Sequence, residues 1–253
     1  MRNPFIFFTA SILFLMLSQW HVHARDASDP SLAATVAPEG PTVSHDIWNT
    51  LVQLYVSADG VVNYKGFKQS KGRLDVYLQQ LSQHSPQASW SREEQMAYWI
   101  NLYNAATVAL IVEHYPLKSI MDIEKPWDKA FVKVGSKTYT LNQIEHEILR
   151  PQFKDPRIHF AVNCASQSCP ELLNQAYSAS KLNQQLESQT KKFVNNPKHN
   201  SIDKSEVSQL FNWYKEDFIK EGTVVDYLNS YAKTPFKKGK ALSFREYDWN
   251  LNE

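Results

Sequence analysis

Apolar residues recur at helical spacing through much of the chain, broken where turn residues intervene. Ile47, Leu51, Leu54 and Tyr55 fall on one face of a helix over 47–56, and Asp59-Gly60 then turns into a short strand over 61–64. Leu74, Tyr77, Leu78 and Leu81 mark a second helix. Ser91, with Glu94 three residues on, forms a capping box ahead of a third, in which the run Met96 to Val112 is apolar almost all round and His114-Tyr115-Pro116 closes the element. A helix with no polar face belongs at the centre of a domain. Its exceptions, Asn101, Asn104 and Thr107, lie along one narrow stripe. Buried amides need partners, so Asn101 and Asn104 either pin neighbouring loops or stand at a cleft floor as substrate-binding groups that orient or stabilise an oxyanion.

Beyond this helix the pattern becomes mixed. Two β-prone runs flank Gly135-Ser136 between Phe131 and Tyr139 and predict a hairpin. Thr140 and Gln143 form a second capping box that starts a helix over 141–149. On it Leu141, Ile144 and Ile148 face the core with Glu145 on the same side, while His146 points to the flank. A carboxylate turned toward the core needs a partner, and Arg150, Arg157 and His159 are the nearest candidates; a structural ion pair and a catalytic role both fit. From Arg157 to Asn163, Ile158, Phe160 and Val162 alternate with His159, Ala161 and Asn163, which predicts a strand. A helix follows over 180–194. Leu210, Phe211, Trp213, Tyr214 and Phe218 then form an aromatic helical stripe that reads as core. Leu242 and Phe244 alternate as a strand, and a bulge near Arg245 and Glu246 accounts for the shift of phase to Tyr247, Trp249 and Leu251. The expected fold is a single α+β domain, with a small, mostly antiparallel sheet packed against the buried central helix and further helices around it.

The N-terminus sets the expected compartment. Arg2, the apolar run Phe5 to Leu17 and the small-residue site Val22-His23-Ala24 predict a signal peptide over 1–24, cleaved after Ala24 and removing His21 and His23. Residues 25–44, rich in Ala, Ser, Thr, Pro and Asp, read as a flexible leader, and 45–253 as one globular domain. The protein is then exported, periplasmic or secreted, with no stable membrane anchor after cleavage. A net charge of +1 gives no electrostatic case for nucleic acid. The seven glycines form no phosphate-binding fingerprint, so no nucleotide cofactor is indicated.

Candidate chemistry gathers around the only two cysteines, Cys164 and Cys169, which close the segment Arg157-Ile-His-Phe-Ala-Val-Asn-Cys-Ala-Ser-Gln-Ser-Cys-Pro170. In a straight strand Cys164 points away from His159, so a dyad between them requires the chain to turn after Asn163. His146 could meet the thiol without that turn, and spacing does not choose between the two histidines.

These segments resemble the domain-of-unknown-function family 547, found in bacteria and plants. The resemblance runs from about Ile47 to the C-terminus through Asp59-Gly-Val-Val-Asn-Tyr64, Tyr98-Trp-Ile-Asn-Leu-Tyr-Asn-Ala105, Pro126-Trp-Asp128, Ile144-Glu-His-Glu-Ile-Leu-Arg150, Asp155-Pro-Arg-Ile-His-Phe-Ala161, Ser168-Cys-Pro170, Trp213-Tyr-Lys-Glu-Asp-Phe218 and Tyr247-Asp-Trp-Asn-Leu-Asn252. It implies no activity, but it places Asn101, Asn104, Glu145, His146, Arg150, His159, Cys164 and Cys169 in the family's pattern segments.

Three functional classes follow. In a thiol-dependent hydrolase or acyl/amide transferase, Cys164 or Cys169 attacks an acyl carbon, His146 or His159 deprotonates it, Glu145 or an asparagine orients that histidine, and Asn101, Asn104 and Arg150 bind substrate. In a non-catalytic envelope module, a Cys164–Cys169 disulfide stiffens the loop. A zinc site from Glu145, His146, His159 and a cysteine has suitable ligand types but no short ligand pair of known spacing, so no metal is expected. The ligand in either of the first two cases is a small molecule or peptide of the cell envelope, and exposed tryptophans could serve sugars or peptide stems there.

Overall fold

A computed structural model describes residues 43–253. The signal segment, its cleavage site, His21, His23 and the leader up to residue 42 lie outside the described residues. Four helices open the domain: α1 (Asp46–Tyr55), α2 (Tyr64–Gln69), α3 (Lys71–Gln83) and α4 (Arg92–His114). The expected strand over 61–64 is reduced to one bridge between Val56 and Val62, because Asn63 accepts a hydrogen bond from the Gly66 N–H and starts α2 at Tyr64.

The capping box of α4 forms as expected: the Glu94 N–H donates to Ser91 Oγ at 3.1 Å and the Ser91 N–H to Glu94 Oε2 at 2.7 Å. Every residue from Met96 to Val112 except Ala109 is buried, so α4 is the central post, packed against α2 and α3. Strands β1 (Val132–Val134) and β2 (Lys137–Tyr139) pair antiparallel with Val132 opposite Tyr139. Gly135, at φ 58°, supplies the left-handed turn that the hairpin needs.

Thr140 caps α5 (Leu141–Gln143), which runs on as a π-helical segment, Ile144–Phe153, also packed on α4. The helix therefore passes the expected end at Leu149 and crosses Pro151. It stops where Lys154 turns left-handed, at φ 50°, and donates its N–H to the Arg150 carbonyl.

The strand expected over 157–163 is absent, and Pro156–Phe160 forms a 3-10 turn. Asp155 accepts from the Arg157 N–H at 3.0 Å and Pro156 supplies a helical φ, two local signals that prevail over the alternation. Residues 158–163 are buried on every side, so their alternating polarity marks no solvent face.

The remaining elements are α6 (Leu182–Val194), β3 (Glu206–Val207), α7 (Leu210–Trp213), α8 (Lys215–Phe218), α9 (Val224–Tyr231) and β4 (Ser243–Phe244), with β3 and β4 parallel. The phase shift after Phe244 is a change of partner, where a bulge was expected. The chain leaves β3, and Asn250 and Leu251 then bridge to Ser119 and Ser166. The architecture is α+β, with little sheet. Its apolar interior has two clusters, a large one around α4 and an aromatic one formed by Phe193, Phe211, Phe218 and neighbours. Ile158, Ala161, Val162 and Ala165 belong to the first and Phe160 to the second, so the segment leading to Cys164 lies along their seam. No helix among the described residues is long and apolar enough to cross a membrane.

Candidate functional site

The loop that carries Cys164 is held from three sides. From α4, Asn104 donates to the Ala161 carbonyl at 2.9 Å and accepts from the Asn163 N–H at 2.9 Å. Within the loop, the Asn163 side chain donates to the Pro170 carbonyl and accepts from the Ala165 N–H. From the C-terminal segment, the Asn250 and Asp248 carbonyls accept from the Gln167 and Ser168 amides, and Asp248 N–H donates to Ser168 Oγ. Ala165 sits at φ 64°, a left-handed conformation that a non-glycine residue holds only when its surroundings over-determine it. This kink follows Cys164 directly and leaves the half-buried thiol on the wall of a cleft.

Both cysteines are free thiols in this arrangement. The Cys164 N–H donates to Cys169 Sγ at 2.8 Å, while Cys164 Sγ lies 3.2 Å from Ser166 Oγ and 3.3 Å from Tyr247 Oη. Hydrogen bonding from the Cys169 thiol, backed by Ser166 and Tyr247, outweighs burial and lowers the Cys164 thiol from 9.0 to about 7. Burial raises the Cys169 thiol and the Tyr247 phenol well above their ordinary values, so both remain protonated donors. The pair is thus split into a thiolate-forming sulfur and a donor sulfur.

The cleft encloses about 280 Å³. Glu145, His146 and His159 line it with both cysteines, and its apolar wall comes from Trp127, Trp213 and Trp249. His159 is 2% exposed; its Nε2 lies 2.8 Å from Asp217 Oδ2, and its ring stacks on Tyr214 with centroids 4.0 Å apart. Arg150 Nε donates to the same Asp217 oxygen at 2.7 Å. His159 and Arg150 together hold the Asp217 carboxyl well below the usual range, so it is ionised and His159 Nε2 must carry the proton of their hydrogen bond. Arg150 Nη1 donates to His146 Nδ1 at 3.0 Å, which leaves the neutral His146 ring with its N–H on Nε2. Glu145 is 6% exposed and accepts from Tyr103 Oη at 3.2 Å, while burial and then the nearby Glu145 carboxylate raise the Tyr214 phenol.

The fold thus brings Cys164, Cys169, Glu145, His146 and His159 into one cleft. Arg150 stands behind the wall and acts through Asp217 and His146. Asn101 and Asn104 do not line the cleft. Asn101 donates to the Tyr177 carbonyl at 2.8 Å and accepts from the Tyr177 N–H at 2.9 Å, so both amides are engaged with loop backbone. The loop-pinning reading describes their placement, and substrate binding by them does not fit it. Neither histidine hydrogen-bonds Cys164; hydroxyls and the second thiol reach it instead. Among the described residues no group of three or more His, Cys, Asp or Glu is placed to hold a metal. A hollow of about 360 Å³ between His45, Trp90, Glu94, Tyr177 and Lys181 contains no cysteine.

Sequence reasoning missed Asp217, Ser166, Tyr103, Tyr214 and Tyr247 as site residues. Asp217 and Tyr247 lie in the segments Trp213–Phe218 and Tyr247–Asn252 that carry the family resemblance, and this was the one signal that could have found them. The aromatic stripe over 210–218 divides: Phe211 and Phe218 are buried away from the cleft, while Leu210, Trp213, 47% exposed, and Tyr214 line it.

No curated protein and no solved structure matches the chain. One family model, described as a protein of unknown function, DUF547, matches residues 87–194, a span that runs from just before α4 to the end of α6 and takes in Glu145, His146, His159 and both cysteines. Over residues 87–194, less than half of its length, the chain matches the DUF547 family.

Proposed function

We propose that the cleft is the active site of a thiol-dependent hydrolase or acyl/amide transferase with Cys164 as its nucleophile. The observation that carries this reading is the Cys164 sulfur on the cleft wall, with the hydroxyls of Ser166 and Tyr247 at 3.2 and 3.3 Å. In the reaction the thiolate adds to a carbonyl carbon, a C–S bond forms, and the carbonyl π electrons move to oxygen. Collapse of this intermediate breaks the bond to an amine or alkoxide, which leaves with the proton that the Cys164 thiol gave up, and a thioester remains. Water or an acceptor amine, giving its proton to a base, then displaces the thiolate and releases the acid or new amide. His159, with Nε2–H directed at ionised Asp217, has Nδ1 left to accept that proton, the arrangement of a carboxylate-oriented base. His146, whose Nδ1 is taken by Arg150, has an Nε2–H to donate to a developing oxyanion. The ligand is a small molecule or peptide, and the apolar Phe5 to Leu17 run supports an envelope setting. Turnover of an ester and amide panel tests the chemistry. Cys164→Ala should abolish it, and unchanged turnover in that variant contradicts the mechanism.

A second reading is a non-catalytic envelope module stiffened by a Cys164–Cys169 disulfide. It is favoured by the proximity of the two residues, with the Cys164 N–H 2.8 Å from Cys169 Sγ, and by the same envelope setting. Alkylation and intact mass of the native protein separate the two readings. A stable bridge that opens only on reduction supports the module, and two titratable thiols contradict it.

A further inference from the structure

The cleft that holds Cys164 has an electrostatic and aromatic character that the thiol chemistry does not use. Glu145 is 6% exposed and lines the cleft, and the hydrogen bond that reaches its carboxylate comes from a neutral phenol, Tyr103. Among the described residues it has no salt bridge, and no Lys or Arg lines the cleft. The nearby guanidinium of Arg150 is directed at Asp217 and His146 and lies over the Tyr214 ring. A carboxylate in that position is hydrogen-bonded but has no opposite charge, and burying it so is costly. A ligand cation would supply the missing charge.

The aromatic part of the cleft lining suits the same ligand. Trp213, Trp249 and Tyr247 are in mutual contact, with centroids 4.8 Å apart for Trp213–Tyr247, 4.5 Å for Tyr247–Trp249 and 6.0 Å for Trp213–Trp249. Trp127 extends the row, 5.7 Å from Trp249. Ring faces attract organic cations through their quadrupole, most strongly where water is excluded, and tryptophan does so best. Trp213 is 47% exposed although Phe211 and Phe218 of the same aromatic stripe pack into the core, so this wall stands open to a ligand.

We infer that the cleft selects substrates bearing an organic ammonium group, held between the Glu145 carboxylate and the Trp127, Trp213 and Trp249 wall, on the same molecule as the acyl carbon presented to Cys164. The inference rests on the cleft being the substrate site, as the thiol reading also holds. Its recognition chemistry is separable from the reaction. A neutral substrate of the same shape fills the volume but leaves Glu145 uncompensated.

The test compares choline with its neutral carbon isostere, 3,3-dimethylbutan-1-ol, by tryptophan fluorescence titration of the full chain. Wild type should bind choline about tenfold more tightly than the isostere. In Glu145→Gln, whose folding is checked by thermal melting, the preference should fall to about twofold or less, while Cys164→Ala should retain it. Equal binding of the two probes by wild type overturns the inference without recourse to any variant. A full preference in folded Glu145→Gln overturns it as well. Choline preference together with undiminished turnover in Cys164→Ala would sink the thiol chemistry and keep the cation site. Loss of turnover in Cys164→Ala with no choline preference would do the reverse.

Discussion

Removing the Cys169 thiol should make Cys164 a weaker acid, because Cys169 is the largest contributor to the lowering of Cys164 from 9.0 to about 7. The lowering operates against burial, so the donors together contribute more than the net change. Loss of the largest donor in Cys169→Ala should raise the midpoint by about one unit or more, roughly 1.4 kcal/mol of thiolate stabilisation. At pH 7 the thiolate fraction then falls from about half to about a tenth, and alkylation slows about fivefold. Cys169→Ser restores a donor and should keep the midpoint near that of the wild type. The assay is the rate of iodoacetamide alkylation of the reduced protein between pH 5 and 10, assigned to Cys164 by peptide mass. An unchanged or lowered midpoint in Cys169→Ala would refute the claim that one thiol activates the other.

Three further outcomes follow from the geometry. Asp217→Asn, which takes a charge from His159 and Arg150, should lower kcat about a hundredfold or more and leave choline binding unchanged; an unaltered kcat removes the His159–Asp217 pair from the mechanism. His199, buried in a stack on Phe193 with centroids 4.4 Å apart, is lowered from 6.5 to about 4, chiefly by burial. The unfolded chain then binds the extra proton between those values, so this stability is complete above pH 6.5 and is lost as pH falls toward 4; urea titrations should show His199→Gln flattening that slope by at most about 3 kcal/mol. Asn104→Ala, which deprives the Ala161 carbonyl and the Asn163 N–H of their partner, should cost about 3 kcal/mol in urea unfolding, and a loss below about 1 kcal/mol would show that the pin is dispensable.

The legible part of the fold is the part specified locally. Helix α4 announces itself by Ser91, Glu94 and a run too apolar to face water, and the β1–β2 hairpin by Gly135 between two β-prone runs. The 157–163 segment misleads because alternation is read as a strand only if one face meets solvent, and here both faces are buried between two apolar clusters. Asp155-Pro156 carried the contrary signal, a side-chain cap with proline at the first helical position. Glu145 could be read as core-facing from its helix phase, but its phenol partner, Tyr103, comes from α4. The candidate site is still less local: Asp217 meets His159 across 58 residues and Tyr247 meets Cys164 across 83. No window of sequence contains those pairs. Hydrophobic periodicity also reports only that Trp213 and Tyr214 are aromatic within a helical stripe, and which of them opens on a cleft is decided by the C-terminal segment laid beside them.

Whether Cys164 is a nucleophile that forms an acyl intermediate is settled by mixing the reduced protein with p-nitrophenyl acetate, quenching early and locating any added acetyl group by peptide mass. A nucleophilic Cys164 should give a burst of p-nitrophenol with a thioester on Cys164, none on Cys169, and neither burst nor adduct in Cys164→Ala. Ester turnover that proceeds equally in Cys164→Ala, or an acetyl group found only on Cys169, would contradict it.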